Sequence, residues 1–353
     1  MHSLALLVCS MLLQAPAREA PARVSPTAAP AKVHKIAVGG EGGWDYLSVD
    51  SDARRLYVSR GDRVMVLDLD TEKVVGELAN TPGVHGIAVA PELGKGFTSN
   101  GRDSTVTVFD LKTLKETGKI KVSGTPDAIL YDAPSGRVFT FNHGTDDTTA
   151  IDAKDETVAG TLAFKGEPEG AVSDGKGHIF VNLRSTSEVA EIDAKTLKIL
   201  NRWPLAPGTR PTGLALDTAH RRLFSTCGNQ KMVVMDADNG KVVASVEIGR
   251  GADGCAFDAS KGQAYSSNGG DGTVTVVGAG KSGTYEVVST IPTQASARTM
   301  TIDPKTHRLY LSAATAAPAP VAPATPAPAD AKPQTKGRRG SVPGSFVIVV
   351  VGE

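Results

Sequence analysis

From residue 33 onward the chain is a succession of short segments in which apolar and polar residues alternate. They are rich in Val, Ile, Thr, Tyr and Phe and are separated by Gly, Asp, Asn and Pro. Period-two alternation with β-branched and aromatic residues predicts strands, and the separators predict tight turns. Short strands and many turns are therefore expected in place of long helices.

The pattern repeats. A short apolar strand ending in an acid recurs as YLSVD, AILYD, GLALD, GCAFD and TMTID. Its last position falls at Asp50, Ala90, Asp132, Asp174, Asp217, Asp258 and Asp303, at intervals of 40, 42, 42, 43, 41 and 45 residues. Each copy continues with a second strand (LYVSRG, FTSNG, FTFNHG), a third (VMVLDL, VTVFDL, TTAIDA), a polar turn and a fourth (KVVGEL, GKIKVS). Four strands in a period near 40 residues describe one blade of a β-propeller. A sheet of four short strands cannot bury both faces alone, whereas blades stacked about an axis can. The last copy lacks a fourth strand at the C-terminus, and Lys35-Ile36-Ala37-Val38-Gly39 matches the fourth-strand phrase Lys119-Ile120-Lys121-Val122-Ser123. The expected fold is all-β: a seven-bladed propeller of four antiparallel strands per blade, closed by an N-terminal strand that completes the last blade. The Ala/Pro-rich stretch 314–344 reads as a disordered insert in that blade.

The segments LYVSRGDRVMVLDLDTEKVVGEL and FTSNGRDSTVTVFDLKTLKETGKI, with strand openings such as Arg210-Pro211-Thr212-Gly213-Leu214-Ala215, resemble the YVTN-repeat, YncE-like family of seven-bladed propellers. The resemblance covers about residues 33–353 apart from the insert, and it departs in blade six, where Val277-Gly278 replaces the usual Ile-Asp. It implies an exported or periplasmic bacterial propeller and no particular activity.

Ahead of the repeat, Leu4–Leu13 is an apolar run of 10 residues followed by small-residue sites at Ala15-Pro16-Ala17 and Ala20-Pro21-Ala22. The run is too short to span a bilayer and suits a signal-peptide core, although its leading region carries only His2 and no Lys or Arg. Residues 1–22 are expected to be a signal peptide and 23–32 a disordered leader. The expected location is thus periplasmic or secreted, with no transmembrane segment. Lys plus Arg and Asp plus Glu both number 38, so the net charge is zero and no nucleic-acid partner is expected. Cys227 and Cys255 form no metal or haem spacing.

Candidate chemistry follows from the repeat. Five residues before each strand-end position stand Asp45, His85, Asp127, Glu169, Thr212, Asp253 and Arg298, all expected at one end of the channel. Ten residues after it stand Arg60, Asn100, Asn142, Arg184, Cys227, Asn268 and Ala313, expected as an outer ring on the same face. Asp45, His85, Asp127, Glu169, Asp253 and Arg298, with Asn100, Asn142 and Asn268, are the ligand-binding candidates. Crowded carboxylates need raised pKa values or a cation, and oxygen donors suit Ca²⁺ or Mg²⁺, so Asp45, Glu169 and Asp253 are candidate metal ligands. His85 or Asp127 would then be the catalytic base. The same residues have plainer uses: Asp and Glu cap turns, and Asn tolerates left-handed backbone. Asp236-Ala237-Asp238-Asn239-Gly240 mimics a Ca²⁺ loop, but Lys241 stands where that loop needs Gly. Gly278–Ser282 resembles the end of a phosphate loop without its first Gly or its helix. Two readings result: a monomeric propeller binding a small ligand or a partner protein at its channel mouth, or a divalent-metal-dependent lactonase- or esterase-like hydrolase. Whether the protein is an enzyme is left open at this point.

Overall fold

The computed structural model describes residues 31–280, 284–318 and 340–352. Among these residues the chain forms seven four-stranded antiparallel sheets, six of them in simple sequential order, and one short 3₁₀ turn. The innermost strands are Leu47–Asp50, Val84–Ala90, Pro126–Asp132, Pro168–Ser173, Pro211–Asp217, Ala252–Asp258 and Met300–Asp303. They are the repeating phrases, one per blade, tipped by an acid except in blade two, where Ala90 stands. The seventh sheet is closed as the repeat predicts: Val33–Ala37 pairs antiparallel with Val347–Val351, with Ile36 opposite Ile348. The ring is thus shut by hydrogen bonds between the two ends of the repeat region. No helix among the described residues is long and apolar enough to cross a membrane.

The core is divided into seven clusters, one between each pair of neighbouring blades. In blade one, Leu56 and Val58 pack toward blade seven while Tyr57 packs toward blade two. In blade three, Phe139 and Phe141 face blade four and Val138 faces blade two. Alternate residues of one strand therefore serve two different interfaces, which is why the second and third strands are apolar on both faces. The fourth strands lie at the rim and are largely exposed, as in Val74–Leu78 and Thr157–Ala163.

The recurring acid at each innermost strand end has a structural use at the end of the ring away from its strand start. Asp50, Asp132, Asp174, Asp217, Asp258 and Asp303 each accept a backbone N–H from their own turn. Several also tie blade to blade: Arg54 Nη1 donates to Asp303 Oδ2 at 2.7 Å, joined by the Ser51 hydroxyl, and Arg221 Nη1 donates to Asp174 Oδ2 at 3.0 Å. The acids ending the third strands cap hairpin turns, as Asp68 Oδ1 does for the N–H and hydroxyl of Thr71.

The leader and signal segment, residues 1–30, and positions 319–339 of the expected insert lie outside the described residues. At the ends of that insert Ala316 pairs with Ser341, so residues 315–317 and 340–342 prolong blade seven as a short hairpin.

Candidate functional site

The seven residues picked by counting back from the strand ends do converge. Asp45, His85, Asp127, Glu169, Thr212, Asp253 and Arg298 all line one cavity of about 630 Å³ at the entry to the central channel. In blades two to six the strand register shifts at this point, between Val84 and Ile87, Pro126 and Ile129, Pro168 and Ala171, Pro211 and Leu214, and Ala252 and Gly254. A bulge re-aims a side chain, and here it turns the ring residue toward the axis. The residue after it is Gly in four blades because the inner strands crowd there. A Cβ on Gly213 would lie 2.5 Å from the Cys255 nitrogen, and one on Gly170 2.5 Å from the Thr212 carbonyl oxygen. Blade one instead carries Tyr46, which lines the cavity and packs against the cluster between blades three and four. It reaches from blade one across to that cluster. Burial and the carboxylates of Asp127, Glu169, Asp45 and Asp253 hold its phenol well above the usual range.

Opposite charges alternate along an arc of six blades. Arg298 contacts Asp253 through Nη1 and Asp45 Oδ1 through Nη2, the latter at 2.9 Å. Asp45 Oδ2 lies 2.7 Å from His85 Nδ1, which lies 3.1 Å from Asp127 Oδ1. Asp127 Oδ2 lies 3.2 Å from His143 Nε2, and that nitrogen is 3.6 Å from Glu169 Oε2. Glu169 Oε1 accepts from Arg184 Nη1 at 2.7 Å. Burial and the neighbouring Asp45 push the Asp127 carboxyl up to about 7 against the opposing pull of His85 and His143. Burial alone would lower both imidazoles, but the carboxylate of Asp45 raises His85, and those of Glu169 and Asp127 raise His143 to about 9. Burial raises the Asp253 carboxyl, with Arg298 opposing it.

Of the second set, Arg184 is brought to the cavity and the three asparagines are not. Asn100, Asn142 and Asn268 are fully buried inside their own blades. Asn142 Nδ2 donates to Asp147 Oδ1 at 2.7 Å and Thr149 Oγ1 at 3.1 Å; Asn100 and Asn268 likewise bond the hydroxyls of Thr105 and Thr107, and of Thr273 and Thr275. They lock the second strand to the start of the third. Arg60 is also buried: it donates to the carbonyls of residues 39, 40, 41, 42 and 43 and lies 3.7 Å over the Phe346 ring. The three residues of the expected ligand trio do not lie together on one ion-sized spot. Asp253 is bound to Arg298, and the His/Asp/Glu groups near enough to share an ion, among the described residues, are Asp45–His85–Asp127 and Asp127–His143–Glu169.

His143 and Arg184 are the residues that the count missed or misplaced, and one backbone contact explains both. The N–H of the residue after the second strand bonds the carbonyl two residues before the ring position: Gly101 to Gly83, His143 to Thr125, Arg184 to Glu167, Gly228 to Arg210 and Gly269 to Gly251. The inward-facing position is therefore one residue beyond the Asn. In blade four the first hairpin is a residue shorter, with Leu183 opposite Pro168 where blade three has Asn142 opposite Pro126. The same count consequently landed on the inward-facing Arg184 there. The signal was present in the sequence as His in a position where other blades carry Gly. At blade five the ring position itself is uncharged: Thr212 Oγ1 bonds the Ala252 carbonyl at 3.1 Å, and beside it Arg210, Gly228 and Gly251 line the cavity between blades five and six.

Fold and site together define a seven-bladed β-propeller with a charged pocket at one channel mouth. No family model and no curated protein matches the chain. Solved structures do. It is similar to Kuenenia stuttgartiensis hydrazine synthase, with a TM-score of 0.69 and 16% identity over 82% of this chain and 96% of that one. It is also similar to the RRP9 WD40 repeats (TM-score 0.72, 9% identity, 92% and 99% covered) and to a chain of the mitotic checkpoint complex (0.68, 14%, 87% and 96%). At such identities the likeness is one of fold.

Proposed function

We propose that this protein is a binding propeller that takes a small polar ligand at the charged mouth of its channel. The observation that carries this is the convergence of one equivalent residue from every blade on a single 630 Å³ cavity, within the size range of small-molecule sites. The charged arc would orient the ligand, and the open glycine wall at blade five would admit it. Finer parts of the reading rest on the sequence: membership of the YVTN-repeat family, export by the N-terminal segment, and action as a monomer, which suits a ring closed by its own strand. One of the solved neighbours is a chain of the mitotic checkpoint complex, so a protein partner at this face is the companion form of the reading. The hydrolase alternative would need a free base, whereas His85 and Asp127 face each other at 3.1 Å within the arc.

The test is a thermal-shift and calorimetric screen of small charged molecules against the wild-type protein and Gly228→Trp. Gly228 is exposed on the cavity wall, and an indole there would fill the entrance. A ligand whose affinity falls by roughly tenfold or more in the folded variant supports the reading. Hits that bind the variant equally well, or none at all, would sink it.

A further inference from the structure

The charged arc is a palindrome centred on Asp127. On one side stand a histidine, a carboxylate and an arginine (His85, Asp45, Arg298), and on the other the same three types (His143, Glu169, Arg184). Each arginine holds the outer oxygen of its carboxylate, Asp45 Oδ1 at 2.9 Å and Glu169 Oε1 at 2.7 Å. The inner oxygens, Asp45 Oδ2 and Glu169 Oε2, are left facing the imidazoles. Asp127 directs Oδ1 toward His85 and Oδ2 toward His143. Each half so gathers one imidazole nitrogen and two carboxylate oxygens within 4.8 Å of one another.

We propose that these five residues form a dinuclear site for divalent transition-metal ions, with Asp45 and His85 on one ion, His143 and Glu169 on the other, and Asp127 bridging the two. Ligand atoms 2.0–2.2 Å from an ion stand roughly 3.0–3.5 Å from each other in octahedral or tetrahedral geometry. The four measured gaps, 2.7, 3.1, 3.2 and 3.6 Å, straddle that spacing. Two buried atoms at the centre, Asp127 Oδ1 and His143 Nε2, form no well-aligned hydrogen bond and have only ion-pair contacts, with His85 and with Asp127 and Glu169, which a bound ion would replace. Asp127 is 8% and Glu169 4% exposed, so the donors are held inside the wall. With neutral imidazoles, the four carboxylates (Asp45, Asp127, Glu169, Asp253) outnumber the three arginines of the cavity wall (Arg184, Arg210, Arg298) by one, and the remaining charge of −1 favours cations. Imidazole mixed with carboxylate suits Zn²⁺, Mn²⁺, Fe²⁺ or Co²⁺, whereas Ca²⁺ and Mg²⁺ prefer all-oxygen shells. Three protein ligands per ion leave positions open toward the cavity, so the site deepens the ligand-binding reading while standing independently of any ligand.

The experiment loads chelator-treated full-length protein with Co²⁺ or Zn²⁺. Calorimetry, metal analysis after gel filtration and the Co²⁺ visible spectrum are the readouts. About two equivalents per chain are expected for the wild type, about one each for His85→Gln and His143→Gln, and at least a roughly tenfold loss of affinity at both positions for Asp127→Asn. Fewer than two equivalents in the wild type overturns the proposal, whatever the variants do. So does retention of both equivalents in the folded His85→Gln/His143→Gln double variant, which would place the metal elsewhere on the surface. Because no organic ligand is used, a failed ligand screen and a failed metal titration are separate outcomes.

Discussion

Asn142 and His143 are adjacent in sequence and do unrelated work. The Asn142 amide is sealed inside blade three against Asp147 and Thr149, while the His143 imidazole reaches Asp127 and Glu169 in the cavity. Asn142→Ala leaves a buried carboxylate and a hydroxyl without their donor. It should lower unfolding stability by about 1–3 kcal/mol in denaturant titration and leave ligand and metal binding intact. Two titrating residues set opposite pH limits in metal-free protein. His143 is held at about 9 against an ordinary 6.5, so its contribution is complete below pH 6.5 and lost as pH rises through 9. Asp303 is taken down to about 2 from an ordinary 3.8: burial, which raises it, is outweighed by Arg54, Ser51 and Thr306. Its contribution is complete above pH 3.8 and lost as pH falls through 2. Melting temperature should therefore fall by roughly 3–5 °C at each limit. His143→Gln should flatten the alkaline slope only, and an unchanged slope in that variant would refute the assignment.

At the scale of elements, the bulge at the start of the innermost strand in blades two to six decides where chemistry can sit. It aims one side chain at the axis and forces its successor to be small. Gly213 lies where a Cβ would strike backbone atoms of Cys255, Gly254 and Asp253 within 2.7 Å, and no side-chain rotation can relieve that. Gly213→Ala should cost at least roughly 2 kcal/mol by chemical denaturation, because neighbouring inner strands must part. A loss under 0.5 kcal/mol would mean that the strands can separate freely. Tyr46 occupies the equivalent position in blade one, where it lines the cavity and packs against the cluster between blades three and four.

At the scale of the molecule, closure depends on few residues. Val33–Ala37 covers the edge of Val347–Val351, Arg60 grips the carbonyls of residues 39–43, and Arg54 with Ser51 bonds Asp303 across the seam. Removing residues 31–37 uncovers an apolar strand of five residues, Val-Ile-Val-Val-Val, with free backbone groups. The truncated protein should self-associate in light scattering and melt at a temperature lower by roughly 10 °C or more. A truncated chain that stays dispersed and melts like the full one would show that the seam does not depend on this strand.

The repeat itself determined most of the architecture. Period-two patterning names the strands, the interval near 40 residues counts the blades, and a missing fourth strand predicts which segment closes the ring. It also determined the inner ring, because equivalent residues of equivalent blades must meet at one end of a common axis. Counting could not distinguish position 142 from 143, since a strand turns successive side chains to opposite sides and a hairpin shorter by one residue shifts the frame in blade four. Nor could it pair the charges. That Asp253 belongs to Arg298, that Asp127 faces two histidines, and that three asparagines are bonded away from the cavity depend on distances between blades. Those distances exist only once the ring is closed, and the tertiary structure alone decides them.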